Sequence, residues 1–161
     1  MSEYTNILFC TDFSEDANIA FLHALNLAGK FGARLHIFHV PHSPFVYARH
    51  IVDEHTSKRE AEGGHAFFDQ GIVEEAQKKL RKEYEGQMGE LRSYNFVVAC
   101  GSPDIEIIRY ARKNKVDLIV IGALGKADAD KLDHGSTAAN VSKYAPCHVM
   151  AIRNPLKRFS L

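Results

Sequence analysis

The sequence lacks an excess of charge of either sign: 20 Lys and Arg stand against 20 Asp and Glu. A balanced chain sets up no field to draw in nucleic acid or an anionic membrane, so neither is expected as a partner. No apolar run approaches the ~18 residues of a membrane-spanning helix. The opening MSEYTNILFC has no basic region followed by an apolar stretch, and reads as the approach to a strand rather than a secretory signal. Cysteine is scarce: Cys10, Cys100 and Cys147 are odd in number and far apart, which fits neither a disulfide framework nor a paired-cysteine zinc pattern. The cytosol, and hence a cytoplasmic protein, is the expectation for such a chain. What is present is the composition of a soluble globular domain, and 161 residues are enough for one domain with its own core.

Short apolar runs alternate with helical periods. Ile7–Cys10 reads as a first strand. Ser14 is a natural helix N-cap, with Glu15 and Asp16 in the favourable first turn. Ala17, Ala20, Phe21, Ala24, Leu25 and Ala28 then recur at helical steps, and Gly29 and Gly32 end the run. Residues 35–40 form a second strand, stopped by Pro41. Residues 41–65, rich in His and charge, read as a loop. A helix is expected from about Ala66 to Gly86, with Asp69, Val73, Ala76, Leu80 and Tyr84 on one face. Residues 96–100 form a third strand, and Ser102-Pro103 opens a helix lined by Ile105, Ile108 and Ala111. Residues 116–121 form a fourth strand. A helix over 136–145 follows, with Ala139, Ser142 and Lys143 spaced for half burial, and residues 147–152 form the fifth strand. Residues 1–153 then make one domain, and 154–161 a basic tail.

This order predicts an α/β fold: a single doubly wound, five-stranded parallel sheet with helices on both faces. Ligands of open parallel sheets bind at the carboxyl ends of the strands, where strand order reverses. The residues that follow the strands are therefore the candidates.

The stretch after strand four is the most unusual. It runs Gly122, two residues, Gly125, nine residues, Gly135, then Ser136 and Thr137. Glycine lets backbone approach a ligand closely. The Gly135-Ser136-Thr137 step opens a helix whose free N–H groups and positive dipole end form an anion site, to which the two hydroxyls add donors. The excursion is built either to wrap a polyphosphate or simply to join a strand to a capped helix. It is no Walker loop, because no Lys follows Gly ahead of Ser136. It carries Asp128, Asp130 and Asp133 against Lys126 and Lys131. Those carboxylates would repel a triphosphate unless a divalent cation such as Mg2+ lay between.

Other constellations yield less. Strand three ends in Cys100-Gly101-Ser102 and strand five in Arg153-Asn154, so the phosphorylatable Asp and the Lys of a response-regulator receiver are missing. His36, His39 and His42 are three apart, but strand residues at that spacing point to opposite faces, so bonded or solvated histidines are expected rather than zinc ligands. Cys10 reads as a small buried apolar residue. No catalytic residues are assigned, and no catalytic base paired with a nucleophile stands out.

The stretches ILFCTDFSEDANIAFLHALNLA, VACGSPDIEIIRYARKNKVDLIVIGALG and YAPCHVMAIR, with the Gly-x2-Gly-x9-Gly-Ser excursion, resemble the universal stress protein family. The resemblance implies a sheet of order 3-2-1-4-5, a homodimer paired through the last strand, and, in the branch with this glycine loop, ATP binding. Its switch point lies between strands one and four. Thr11, Asp12 and the backbone around Val40 would then hold the adenine and ribose end, Gly122 would let the ribose approach, and Gly125, Gly135, Ser136 and Thr137 would contact phosphates. The implied function is a nucleotide-dependent stress-response switch that binds ATP or a related adenine nucleotide (AMP or ADP), with a further protein partner unidentified. The alternatives are a slow Mg2+-dependent ATP hydrolase and a nucleotide-independent interaction module.

Overall fold

The computed structural model describes residues 3–42, 58–124 and 136–155, with the side chains of 58–70 left aside. Five strands make one parallel sheet in the order β3-β2-β1-β4-β5. They are β1 (Asn6–Cys10), β2 (Arg34–His39), β3 (Tyr94–Val98), β4 (Leu118–Gly122) and β5 (His148–Ile152). Helices α1 (Glu15–Phe31), α2 (Lys58–Tyr84), α3 (Pro103–Lys113) and α4 (Ser136–Tyr144) connect them, and a 3-10 turn at Glu85–Gln87 follows α2.

β1 lies at the centre because its residues are apolar on both faces. Ile7 and Phe9 point into a core shared with Ala20, Phe21, Ala24 and Ala28 of α1 and Leu80 and Tyr84 of α2. Leu8 and Cys10 point into the opposite core, with Ile107 and Ala111 of α3 and Ala138 and Val141 of α4. Strand residues alternate between faces, so one continuous apolar run serves both layers. Each fully buried Leu, Ile or Phe contributes about 1.5–3 kcal/mol relative to exposure.

Several expectations need correction. Helix α2 begins at Lys58, about eight residues before the expected start. Its first turns, KREAE, are good helix formers without an apolar stripe, so the period is absent although the propensity is there. The rest of the expected loop, residues 43–57, lies outside the described residues. In α3, Ile107 and not Ile105 faces the core; Ile105 is 53% exposed and Ile108 half-buried. In α4, Ala138 and Val141 are buried, whereas Ala139, Ser142 and Lys143 face solvent. In α3 Ala111 is buried as expected and only the start of the expected face turns to solvent, whereas in α4 the buried face is shifted by one residue, because phase is set by packing against the sheet.

Strand β3 also starts two residues early. Tyr94 and Asn95 pair with Leu35 and His36, and pairing does not require apolar side chains. The cap assignments are mixed. Ser14 accepts the Ala17 N–H at 3.2 Å, and Gly32 ends α1 at φ 64°. Ser102 makes no cap bond; its hydroxyl donates to Asp104 Oδ1 at 2.6 Å.

Candidate functional site at the carboxyl edge of the sheet

Cys10 is flanked in register by Phe38 of β2 and Ile121 of β4. The residues that leave these three strands therefore emerge side by side: Thr11 and Asp12 from β1, His39 and Val40 from β2, and Gly122 from β4. Chain direction reverses its lateral course between β1 and β4, so this edge is the switch point of the sheet.

Thr11 is buried, and its groups are all engaged. Its N–H donates to Phe38 O at 2.9 Å, and its carbonyl accepts His39 Nδ1–H at 2.7 Å. Its hydroxyl accepts the Phe13 N–H at 2.9 Å and lies 2.6 Å from the Tyr84 hydroxyl. Tyr84 in turn donates to Asn18 Oδ1 at 2.9 Å, so Thr11 is the donor to Tyr84. Burial pushes the Tyr84 phenol up to about 12, and the Thr11 hydrogen bond opposes that rise. A continuous relay thus runs from β1 through α2 to α1.

Asp12 is half-buried, and its Oδ1 accepts the Ser14 N–H at 3.0 Å. That bond closes the turn in which Phe13 takes φ 63°, an uncommon conformation for a large side chain. The Phe13 ring packs 4.7 Å from His39 and 6.1 Å from Tyr84, centroid to centroid, with Lys79 Nζ 4.2 Å above it. Together these contacts hold the turn at the rim of the site.

Gly122 is required for packing. A Cβ there would lie 2.8 Å from the Ala17 nitrogen and 3.0 Å from the Asp16 carbonyl carbon. The first turn of α1 thus rests on the end of β4. Asp16 is fully buried; its carboxylate accepts the Leu124 N–H and the Asn154 N–H, each at 3.2 Å. Ser14 Oγ also donates to Leu124 O at 3.4 Å. The root of the post-β4 excursion is therefore fastened to the β1–α1 turn.

A model of the universal stress protein family matches residues 3–153. The chain belongs to the universal stress protein family. It is 32% identical to universal stress protein MJ0531 of Methanocaldococcus jannaschii, over 96% of this chain and 85% of that one. The solved structure of MJ0577 aligns with a TM-score of 0.70 at 25% identity, covering 97% of this chain and all of that one. Two universal stress proteins solved in complex with cAMP and, from Archaeoglobus fulgidus, with dAMP align at TM-scores of 0.56 and 0.51; at 21% and 20% identity they show the shared fold.

Among the expected site residues of this universal stress protein, Thr11, Asp12, Val40 and Gly122 gather at one edge. Ser136 and Thr137 open α4, whose Ala138 enters the same core as Cys10 and Ile121. Gly125 and Gly135, with Asp128, Asp130 and Asp133, lie outside the described residues. Asp16 and the Thr11–Tyr84–Asn18 relay were not foreseen. An acid in a first helical turn satisfies the helix dipole without being buried, and nothing in the order of residues brings position 84 to position 11. His39 is bonded locally. His36 is buried, with Nδ1 2.9 Å from the Tyr110 hydroxyl and Nε2 3.2 Å from Asn6 Oδ1. Burial drives the Cys10 thiol well above its ordinary value, which suits an inert core residue. Among the described residues no group of three metal-ligating side chains is clustered.

Proposed function

We propose that this universal stress protein binds an adenine nucleotide, ATP or its diphosphate or monophosphate, at the carboxyl edge of the sheet and acts as a nucleotide-dependent switch. The observation that carries the reading is the convergence of Asp12, Val40 and Gly122 at the β1/β4 switch point, with α4 opening on Ser136 and Thr137 nearby. Asp12 would orient the sugar and Val40 the base. Gly122 would let the ribose approach, and Gly125, Gly135 and the first N–H groups of α4 would receive phosphates. Two fold relatives are complexes with cAMP and dAMP, which supports the adenine class.

The acidic residues of the excursion give Mg2+ a role beside a triphosphate, since a cation would offset their repulsion. We further propose a cytoplasmic protein that forms a homodimer through the open edge of β5. Calorimetric titration of ATP, with and without Mg2+, tests the reading. Micromolar binding strengthened by Mg2+ is expected, near −8 kcal/mol. No heat with ATP, ADP or AMP in either condition would overturn it and favour a nucleotide-independent interaction module.

A further inference from the structure

A second surface lies between α3 and α4. Asp104 near the start of α3 and Asn140 in α4 are joined by a 2.7 Å hydrogen bond. Around that bond lies an open groove of about 810 Å3. Its apolar lining comes from Ile105, Ile108 and Tyr144. Ile105 and Tyr144 are 53% and 55% exposed, two of the four large apolar side chains that stand out in solvent among the described residues.

The groove is also basic, although the chain as a whole has no net charge. Arg109, Arg112 and Lys113 line it against one carboxylate, Asp104. Asp104 is occupied by the Ser102 hydroxyl, the Ile105 N–H and the Asn140 amide. Glu106 is engaged by Arg109 at 2.7 Å. Neither Arg112 nor Lys113 forms an ion pair among the described residues. A further cation, Lys143 Nζ, lies 5.2 Å from the Tyr144 ring centroid.

We propose that this groove docks an acidic, amphipathic segment of a partner protein. Its apolar side chains would seat between Ile105, Ile108 and Tyr144, and its carboxylates would face Arg112 and Lys113. The apolar centre selects against a purely polyanionic occupant such as RNA, whose backbone would leave Ile105 and Tyr144 uncovered. Cations at the rim set the sign of the partner and its rate of encounter, while the apolar anchors supply lasting affinity. The inference does not depend on nucleotide binding.

The test is fluorescence anisotropy with a fluorescein-labelled peptide that alternates pairs of Glu and Leu. Two double variants are compared with the parent protein: Arg112→Glu with Lys113→Glu, and Ile105→Ser with Tyr144→Ser. All four positions are exposed, so thermal melts should match the parent and establish that the variants fold. Saturable binding is expected, weakened about tenfold or more in each double variant and lowered by added salt. Parental affinity in either folded variant would overturn the proposal. So would equal binding of labelled polyglutamate or of a labelled single-stranded oligonucleotide, since either would mean that charge alone is read.

Discussion

At Gly122, one added carbon would meet backbone on the far side. Because the Ala17 nitrogen is 2.8 Å from the Cβ position, relief requires moving the start of α1 and not merely turning a side chain. Gly122→Ala is expected to cost about 1–3 kcal/mol, read as a fall of several degrees in Tm. An unchanged Tm would mean that helix and strand can separate freely. His36 offers a second residue-scale test. Burial, and to a lesser degree the nearby Arg34, holds its imidazole down to about 4 against 6.5 for the free group. The unfolded chain therefore binds the proton more readily. This contribution is complete above pH 6.5 and is lost as pH falls toward 4, by up to about 3 kcal/mol. Denaturant midpoints between pH 4 and 7 should show that slope, and His36→Gln should flatten it. An identical slope in the variant would assign the acid sensitivity to other titrating groups. Asp16 shows how a residue's role can be concealed: its place in the first turn is legible, but its burial depends on β4 and the exit of β5, more than 100 positions away.

At the scale of elements, the order of strands and helices was legible because each apolar run or period is a local property. α1 could be read from its cap, its alanine face and its terminal Gly32, although Gly29, expected to help end it, lies inside the helix. The start of α2 could not, because a charged helix turn leaves no stripe. The face of α4 and the first turn of α3 depart from the expected phase because the sequence supplies a period but not the direction of the sheet, while Ala111 of α3 is buried as expected. The cap of α1 also reaches the site, as Ser14 holds both the Ala17 N–H and Leu124 O. Ser14→Ala should cost about 1 kcal/mol of stability. If the proposed site is correct, it should also weaken ATP binding by loosening the root of the excursion. Stability loss with unaltered affinity would confine Ser14 to capping.

At the scale of the molecule, the switch point followed from strand order, while the glycine excursion could be judged only as a pattern of residues. Its spacing fits both a phosphate wrap and a plain connection, and that choice depends on a ligand. The remaining molecular expectation concerns β5, which among the described residues is an edge strand paired with β4. Its exposed Ala151 lacks the charge that commonly blunts such an edge. If two chains join there, Ala151→Lys should shift the sedimentation of the protein toward the monomer without lowering its Tm. A dimer that survives the change would move the interface elsewhere.

The central position of β1 also bears on how the chain emerges from a ribosome. Ile7 is bordered on one side by Leu35, available soon after synthesis, and on the other by Leu118, which follows 111 positions later. At about 5–20 residues per second, that flank of the nascent sheet stays unmatched for roughly 5–20 seconds. Its unpaired backbone edge, flanked by apolar side chains, is then open to any waiting strand, and chaperone capture during translation should peak before residue 118 emerges and decline once β4 is in place.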